Sequence, residues 1–201
     1  MAFTGLPPRC EKCQSLERHR AIRSFWQQVY DKDLFRQLRV LQFSADSAVK
    51  PEWFSHYEYS VYGGHNSLDL QKVERESGSY DIVICNHVLE HVLSDDEALR
   101  EMNRVVKDDG IVFLTVPDPI RRTSTNDWGY PDETQHGHYR LYGADIAKLF
   151  EQAVPSIMVF STEIVDAVTQ TPDIAFILAR KQNRLIRRIA QAGCKLSLYV
   201  S

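Results

Sequence analysis

The stretch YDIVICNHVLEHVLSDDEALREMNRVVKDDGIVFLTVP, Tyr80 to Pro117, decides the fold. Its opening run, Tyr80 to Cys85, is apolar on both faces, which suits the middle of a parallel sheet rather than an edge. Ser94 followed three residues later by Glu97 reads as a capping box, and Asp95 and Asp96 sit where the positive end of a helix dipole favours acids. Ala98, Leu99, Met102, Val105 and Val106 form one apolar stripe, and Gly110 is expected to end the helix in a left-handed cap. Ile111 to Pro117 is then a second buried strand, closed by proline. Strand, helix and strand in this order make a βαβ unit with parallel strands and a right-handed crossover.

Working outward toward the N-terminus, Ser15 to Tyr30 places Leu16, Ile22, Phe25, Trp26 and Val29 near helical spacing. RVLQF, Arg39 to Phe43, reads as a buried strand that stops at the polar turn Ser44, Ala45, Asp46 and Ser47. Tyr57 to Tyr62 is another strand, stopped by Gly63 and Gly64. Toward the C-terminus, Asp118 to Gly143 holds no periodic apolar pattern and is expected to be a long functional loop. Ala144 to Ala153 reads as a short helix, and Ser156 to Val165 with Ile174 to Ala179 as an antiparallel hairpin at the sheet edge. The order predicts an α/β fold: a three-layer αβα sandwich with a mostly parallel sheet and an antiparallel C-terminal hairpin. Such sheets bind ligands beyond the carboxyl ends of their strands. The expected organisation is an N-terminal segment with CxxC and an amphipathic helix (1–37), a central domain (38–180) and a basic tail (181–201).

The composition narrows the function classes. In 201 residues, 24 Lys and Arg stand against 27 Asp and Glu, with 43% hydrophobic and 25% charged residues, inside the range of ordinary globular domains. No apolar run approaches the roughly 20 residues that span a bilayer, and the opening MAFTGLPPRC has no apolar signal core. From Arg180 onward there are six cationic residues and no acid, so the net −3 divides into +6 on the tail and −9 on the rest. A nucleic-acid partner is disfavoured, because the body would repel phosphates. Leu185, Ile186 and Ile189 share one face of a tail helix, which suits either packing on its own domain or an anionic membrane surface or acidic partner. Four cysteines are too few for a disulfide scaffold, so a reduced, cytoplasmic chain is expected. Cys10 and Cys13 form a CxxC, which supplies two of the four ligands a closed zinc site needs.

The string NHVLEHV follows the central strand directly. His87, Glu90 and His91 match HxxEH, in which two histidines on one helix face bind zinc and the glutamate acts as base, with a third ligand from His136 or His138. That pattern needs a stable helix. A different reading comes from a resemblance: Tyr80 to Pro117 resembles the central stretch of class I S-adenosylmethionine-dependent methyltransferases, the methyltransferase type 11 group, with its "VLEHV" turn and its helix ending in "RVLKPGG". CxxCxSxERHR, Cys10 to Arg20, and HxRxYG, at His138, Arg140, Tyr142 and Gly143, agree with one branch of that group.

The resemblance implies a Rossmann-like domain with S-adenosylmethionine across the carboxyl ends of its first, second and fourth strands. Carried onto this chain, the cofactor-binding residues are Phe43, Ser44, Ala45 and Asp46 after the first strand, and Tyr62 and Gly63 at the end of the second. Leu68, Asp69 and Leu70 lie on the adenine side, and Asn86 and His87 in the turn after YDIVIC. Two features depart from the group: SADSA replaces the glycine-rich turn, and no acid follows Tyr62 to take the ribose hydroxyls. For the transfer, His138 is the first candidate base and His87 the second, since histidine titrates near neutrality. Arg140 suits an anionic substrate group and Tyr142 stacking or hydrogen bonding, or the two anchor the loop. The expected function is methyl transfer to a small-molecule or sugar acceptor. A degenerate binding or assembly module that keeps the fold is the alternative, and a zinc-dependent hydrolase the third reading.

Overall fold

The computed structural model describes residues 9–44 and 46–199; the expected cofactor contact at Ala45 lies outside the described residues. Helix α1, Glu17–Val29, buries Ala21, Ile22, Phe25, Trp26 and Val29. A short helix α2, Lys32–Phe35, is capped by Asp31, whose carboxylate accepts from the Asp33 and Leu34 amides. Strands β1 (Arg39–Phe43), β2 (His56–Ser60) and β3 (Tyr80–Asn86) precede helix α3 (Asp95–Val105) and strand β4 (Val106–Thr115). A hairpin of β5 (Asn126–Asp132) and β6 (His138–Leu141), helix α4 (Ile146–Ala153) and strands β7 (Met158–Val165) and β8 (Pro172–Ala179) follow. Helix α5 (Arg184–Gln191) and a two-residue strand β9 (Ser197–Leu198) complete the order.

The main sheet runs β2-β1-β3-β4-β8-β7-β9. The first four strands pair in parallel, and β8 enters antiparallel to both β4 and β7. This is the expected mostly parallel sheet with its C-terminal antiparallel hairpin. Every residue of β3 is buried, as its apolar run on both faces requires. One core lies under α3 and α4 and gathers Leu41, Val83, Leu99, Met102, Leu114 and Phe150. The other lies under α1 and α5 and gathers Ile22, Trp26, Val40, Ile84, Phe113 and Ile189.

Three local expectations are corrected. The Ser94 capping box does not form: the Ser94 hydroxyl donates to Asp96 at 2.8 Å, and its amide donates to the side chain of Gln71. Helix α3 ends at Val105, and Gly110 lies within β4 rather than in a left-handed cap. There the sheet bulges, because Tyr80 opposes Val106 and Ile82 opposes Ile111, so Asp81 alone faces residues 107–110. A Cβ on Gly110 would sit 2.6 Å from the Asp81 carbonyl oxygen, so close approach selects glycine. The stretch 118–143, expected to be an irregular loop, carries the β5–β6 hairpin. Its strands alternate no apolar face, and side chains hold it instead: Asp127 to Arg140 at 2.6 Å, and Trp128 Nε1 to the His138 carbonyl at 3.0 Å.

In the tail, the Asn183 side chain accepts from the Leu185 and Ile186 amides and caps α5. Leu185, Ile186 and Ile189 are buried against the sheet, and Arg188 donates to the Val29 and Tyr30 carbonyls. The apolar face of this helix is therefore spent on its own domain. Among the described residues no helix is long and apolar enough to cross a membrane.

Candidate functional site

The carboxyl ends of β1 to β4 lie on one edge of the sheet, and the turn after β1 is built there from polar contacts. Ser44 adopts φ +73°, the left-handed region that a glycine would occupy without strain. Gln42, fully buried in an otherwise apolar strand, donates from Nε2 to the carbonyls of Ser44 and Asp46, and its Oε1 accepts from the Tyr57 hydroxyl. Asp46 accepts from the Ala48 amide at 2.8 Å and from Asn86 Nδ2 at 2.9 Å. The turn after β1 is thus fastened to the end of β3. A shallow cavity of about 370 Å³ beside it is lined by Arg23, Asp46, Lys50, Tyr57 and Tyr59.

Strand β2 ends at Ser60, whose hydroxyl accepts from the Leu68 amide at 2.9 Å. The acid of this strand is Glu58, two residues earlier. Burial would raise its carboxyl, but hydrogen bonds from Arg75, Tyr80 and Asn66 outweigh that and hold it at about 2, from the usual 4.5. Tyr62 is exposed and Gly63 takes φ +71° in the turn beyond. Leu68 and Leu70 are core residues. Asp69 accepts from the Gln71 amide and side chain, so it caps its own turn.

A second, larger cavity of about 920 Å³ opens at the ends of β3 and β4, between α1 and the β5–β6 hairpin. His87, Glu90, His91, Pro117, His136 and His138 line one side; Leu16, Arg18 and Asp173 line the other. His87 follows β3 with φ +51°, and its amide donates to the Thr115 carbonyl, which ties the turn to β4. Leu89–His91 is a single 3-10 turn, too short to place His87 and His91 on one helix face, so the helix that the HxxEH reading needs is absent from this segment. His138 packs edge-on against His91 with ring centroids 4.6 Å apart. Its Nδ1 is buried without a hydrogen-bond partner, and burial pushes its pKa below the usual imidazole value. His87 Nε2 is likewise buried and unpartnered.

Arg140 and Tyr142 point away from this cavity's chemistry and into the protein. Arg140 is 2% exposed; it pairs with Asp127 and donates to the carbonyls of Leu89, Val92 and Leu93 at 3.3, 2.7 and 2.6 Å. The Tyr142 hydroxyl donates to Asp95 at 2.7 Å, and burial raises its phenol well above the usual value. Together they clamp the hairpin to the turn that carries Glu90 and His91. Gly143 beside them has no room for a side chain, since a Cβ would lie 2.3 Å from the Ser124 backbone.

Cys10 and Cys13 lie before α1, and hydrogen bonding to Ser15 lowers the exposed Cys13 thiol to about 7. No third metal-ligating side chain gathers around them among the described residues. Sequence reasoning missed two contributors, Asp173 from β8 and Gln42, and read Glu90 as a base rather than as a buried carboxylate without a hydrogen bond. Gln42 left a signal, a polar residue inside an apolar strand.

A parallel sheet that presents a polar turn after β1, an amide after β3 and an open cleft at its carboxyl edge defines a nucleotide-cofactor fold of the Rossmann-like class. Residues 18–153 match the model of a methyltransferase domain, and the chain belongs to that family, the class I S-adenosylmethionine-dependent methyltransferases. No curated protein matches the chain. Solved structures share the fold at low identity. The 1,6-didemethyltoxoflavin-N1-methyltransferase of Burkholderia thailandensis, with S-adenosylhomocysteine bound, is 13% identical at TM-score 0.53, covering 81% of this chain and 79% of that one. A complex of the Haloferax volcanii Trm112 methyltransferase activator and a methyltransferase matches at 9% identity and TM-score 0.52, covering 83% and 92%. The [4+2]-cyclase SpnF matches at 12% identity and TM-score 0.51, covering 82% and 81%.

Proposed function

We propose that this protein transfers a methyl group from S-adenosylmethionine to a hydroxyl of a small-molecule or sugar acceptor, in a reducing cytoplasmic setting in keeping with its four free cysteines. The observation that carries the reading is the pair of unpartnered imidazole nitrogens, His138 Nδ1 and His87 Nε2, buried at the cavity on the carboxyl edge of the sheet. The turn after β1 fits the cofactor in its backbone, since Ser44 takes the left-handed conformation that a glycine-rich turn would adopt. Phe43, Ser44, Asp46 and Asn86 would hold it, with Leu68 and Asp69 on the adenine side. The bound cofactor supplies an electrophilic methyl group on a sulfonium.

The chain's own part is positioning and proton transfer. The cavity receives the acceptor between α1 and the hairpin. As the acceptor oxygen gains its methyl group, its hydroxyl proton passes to His138 Nδ1, with His87 Nε2 as the second acceptor. Arg140 and Tyr142 act as positioning residues, since they hold the hairpin on which His138 sits. A nucleic-acid acceptor is disfavoured, because its phosphates would meet the like charge of a body carrying −9.

One observation favours a second reading, a binding module that retains the fold. No acid ends β2 to face a ribose, since its one acid, Glu58, lies two residues short of the end and is committed to Arg75, Tyr80 and Asn66, and a lost charge-assisted hydrogen-bond pair weakens affinity by roughly a hundredfold. Titration of S-adenosylmethionine into the purified chain separates the two. Binding, followed by methyl transfer that His138→Ala abolishes, supports the enzyme; absence of binding at millimolar cofactor leaves the module.

A further inference from the structure

We propose that Glu90, His91 and His138 form a binding site for a divalent transition-metal ion of the zinc class, open to the large cavity. One ligand atom from each of the three lies within 4.8 Å of the others, the only such grouping among the described residues. Glu90 is 1% exposed, and neither of its carboxylate oxygens accepts a hydrogen bond. His87 Nδ1 stands 3.6 Å from its Oε1, beyond hydrogen-bond reach. A buried carboxylate with no donor is costly, and proteins resolve it with a cation or a proton. Here two imidazoles flank it, and the buried Nδ1 of His138 has no partner of its own.

The donor chemistry selects the ion. Two imidazoles and one carboxylate form the set used for zinc and for ferrous iron in sites that keep positions open, whereas calcium and magnesium prefer oxygen alone. The scaffold is already held in place. The 3-10 turn supplies Glu90 and His91, β6 supplies His138, and Arg140, two residues along β6, bonds the carbonyls of Leu89, Val92 and Leu93 on either side of the turn. This site differs from the HxxEH arrangement: Glu90 is a ligand rather than a base, and the second imidazole comes from the hairpin.

The role of the ion in catalysis rests on the methyl-transfer reading; its binding does not. With His138 engaged as a ligand rather than as the base, an acceptor hydroxyl in the open position would become more acidic and its proton would pass to His87 Nε2.

The test uses the full chain carrying Cys10→Ser and Cys13→Ser, stripped with chelator and dialysed. Cobalt(II) is titrated while its visible d–d bands are followed, and zinc is titrated calorimetrically. The expected result is one equivalent bound, with affinity reduced about a hundredfold in both Glu90→Gln and His138→Ala, each checked for native circular dichroism. Failure of both metals to bind, or binding that survives both substitutions, overturns the proposal. S-adenosylmethionine is titrated separately into the same protein. Metal binding without cofactor binding defeats only the methyl-transfer reading, and cofactor binding without metal defeats only the metal site.

Discussion

Asn86, the last residue of β3, donates from Nδ2 to Asp46 Oδ2 at 2.9 Å and so joins the turn after β1 to the turn after β3. Asp46 spends its other carboxylate oxygen on the Ala48 amide. The two loops expected to flank the cofactor are therefore one hydrogen-bonded unit, ordered before any ligand arrives. Substituting Asn86→Ala removes the bond while leaving the strand in place. Calorimetry should show S-adenosylmethionine affinity falling roughly tenfold, about the value of one net hydrogen bond.

Ser44 takes φ +73° where a residue with a Cβ is strained. Glycine there relieves a left-handed penalty of about 1–2 kcal/mol, partly offset by its greater unfolded-state freedom. Ser44→Gly should raise stability by about 1 kcal/mol in denaturant titration. A loss of stability would show that the turn depends on the serine side chain.

Glu58, held at about 2 by Arg75, Tyr80 and Asn66, links stability to pH. Its folded-state pKa lies below the unfolded value, so its contribution is present above about pH 4.5 and is lost as pH falls toward 2. Thermal melts at pH 7 should show Glu58→Gln less stable than the parent, and the gap should narrow as pH falls from about 4.5 toward 2. A gap that is constant with pH would contradict the ionised network.

Arg140 reaches one carboxylate and three carbonyls, a geometry that a lysine's single ammonium cannot reproduce. Arg140→Lys should cost about 2–3 kcal/mol of stability and expose the β5–β6 hairpin to limited proteolysis. Unchanged cleavage would mean that the hairpin is held elsewhere.

How much of this was legible in the sequence varies by element. RVLQF and YDIVIC carry their burial in their composition, and β1 and β3 begin where the apolar runs begin. The boundary between α3 and β4 was misread because Gly110 looks like a cap, while its close approach to Asp81 comes from a neighbouring strand. The β5–β6 hairpin has no apolar alternation to read; it depends on Asp127 meeting Arg140 and on Trp128 meeting the His138 backbone. At the site, the histidines announced themselves as residue types. That Glu90 is buried without a hydrogen bond, and that His138 rather than His87 stands with His91, emerges only when the hairpin folds over the turn.

The most direct test of the central claim is isothermal titration of S-adenosylmethionine and S-adenosylhomocysteine into the purified protein, with Asp46→Ala and Asp69→Ala as comparisons. Cofactor affinity in the micromolar range, weakened in both variants, is the result this account predicts. No detectable heat at millimolar cofactor, or binding that both variants retain unchanged, would contradict it.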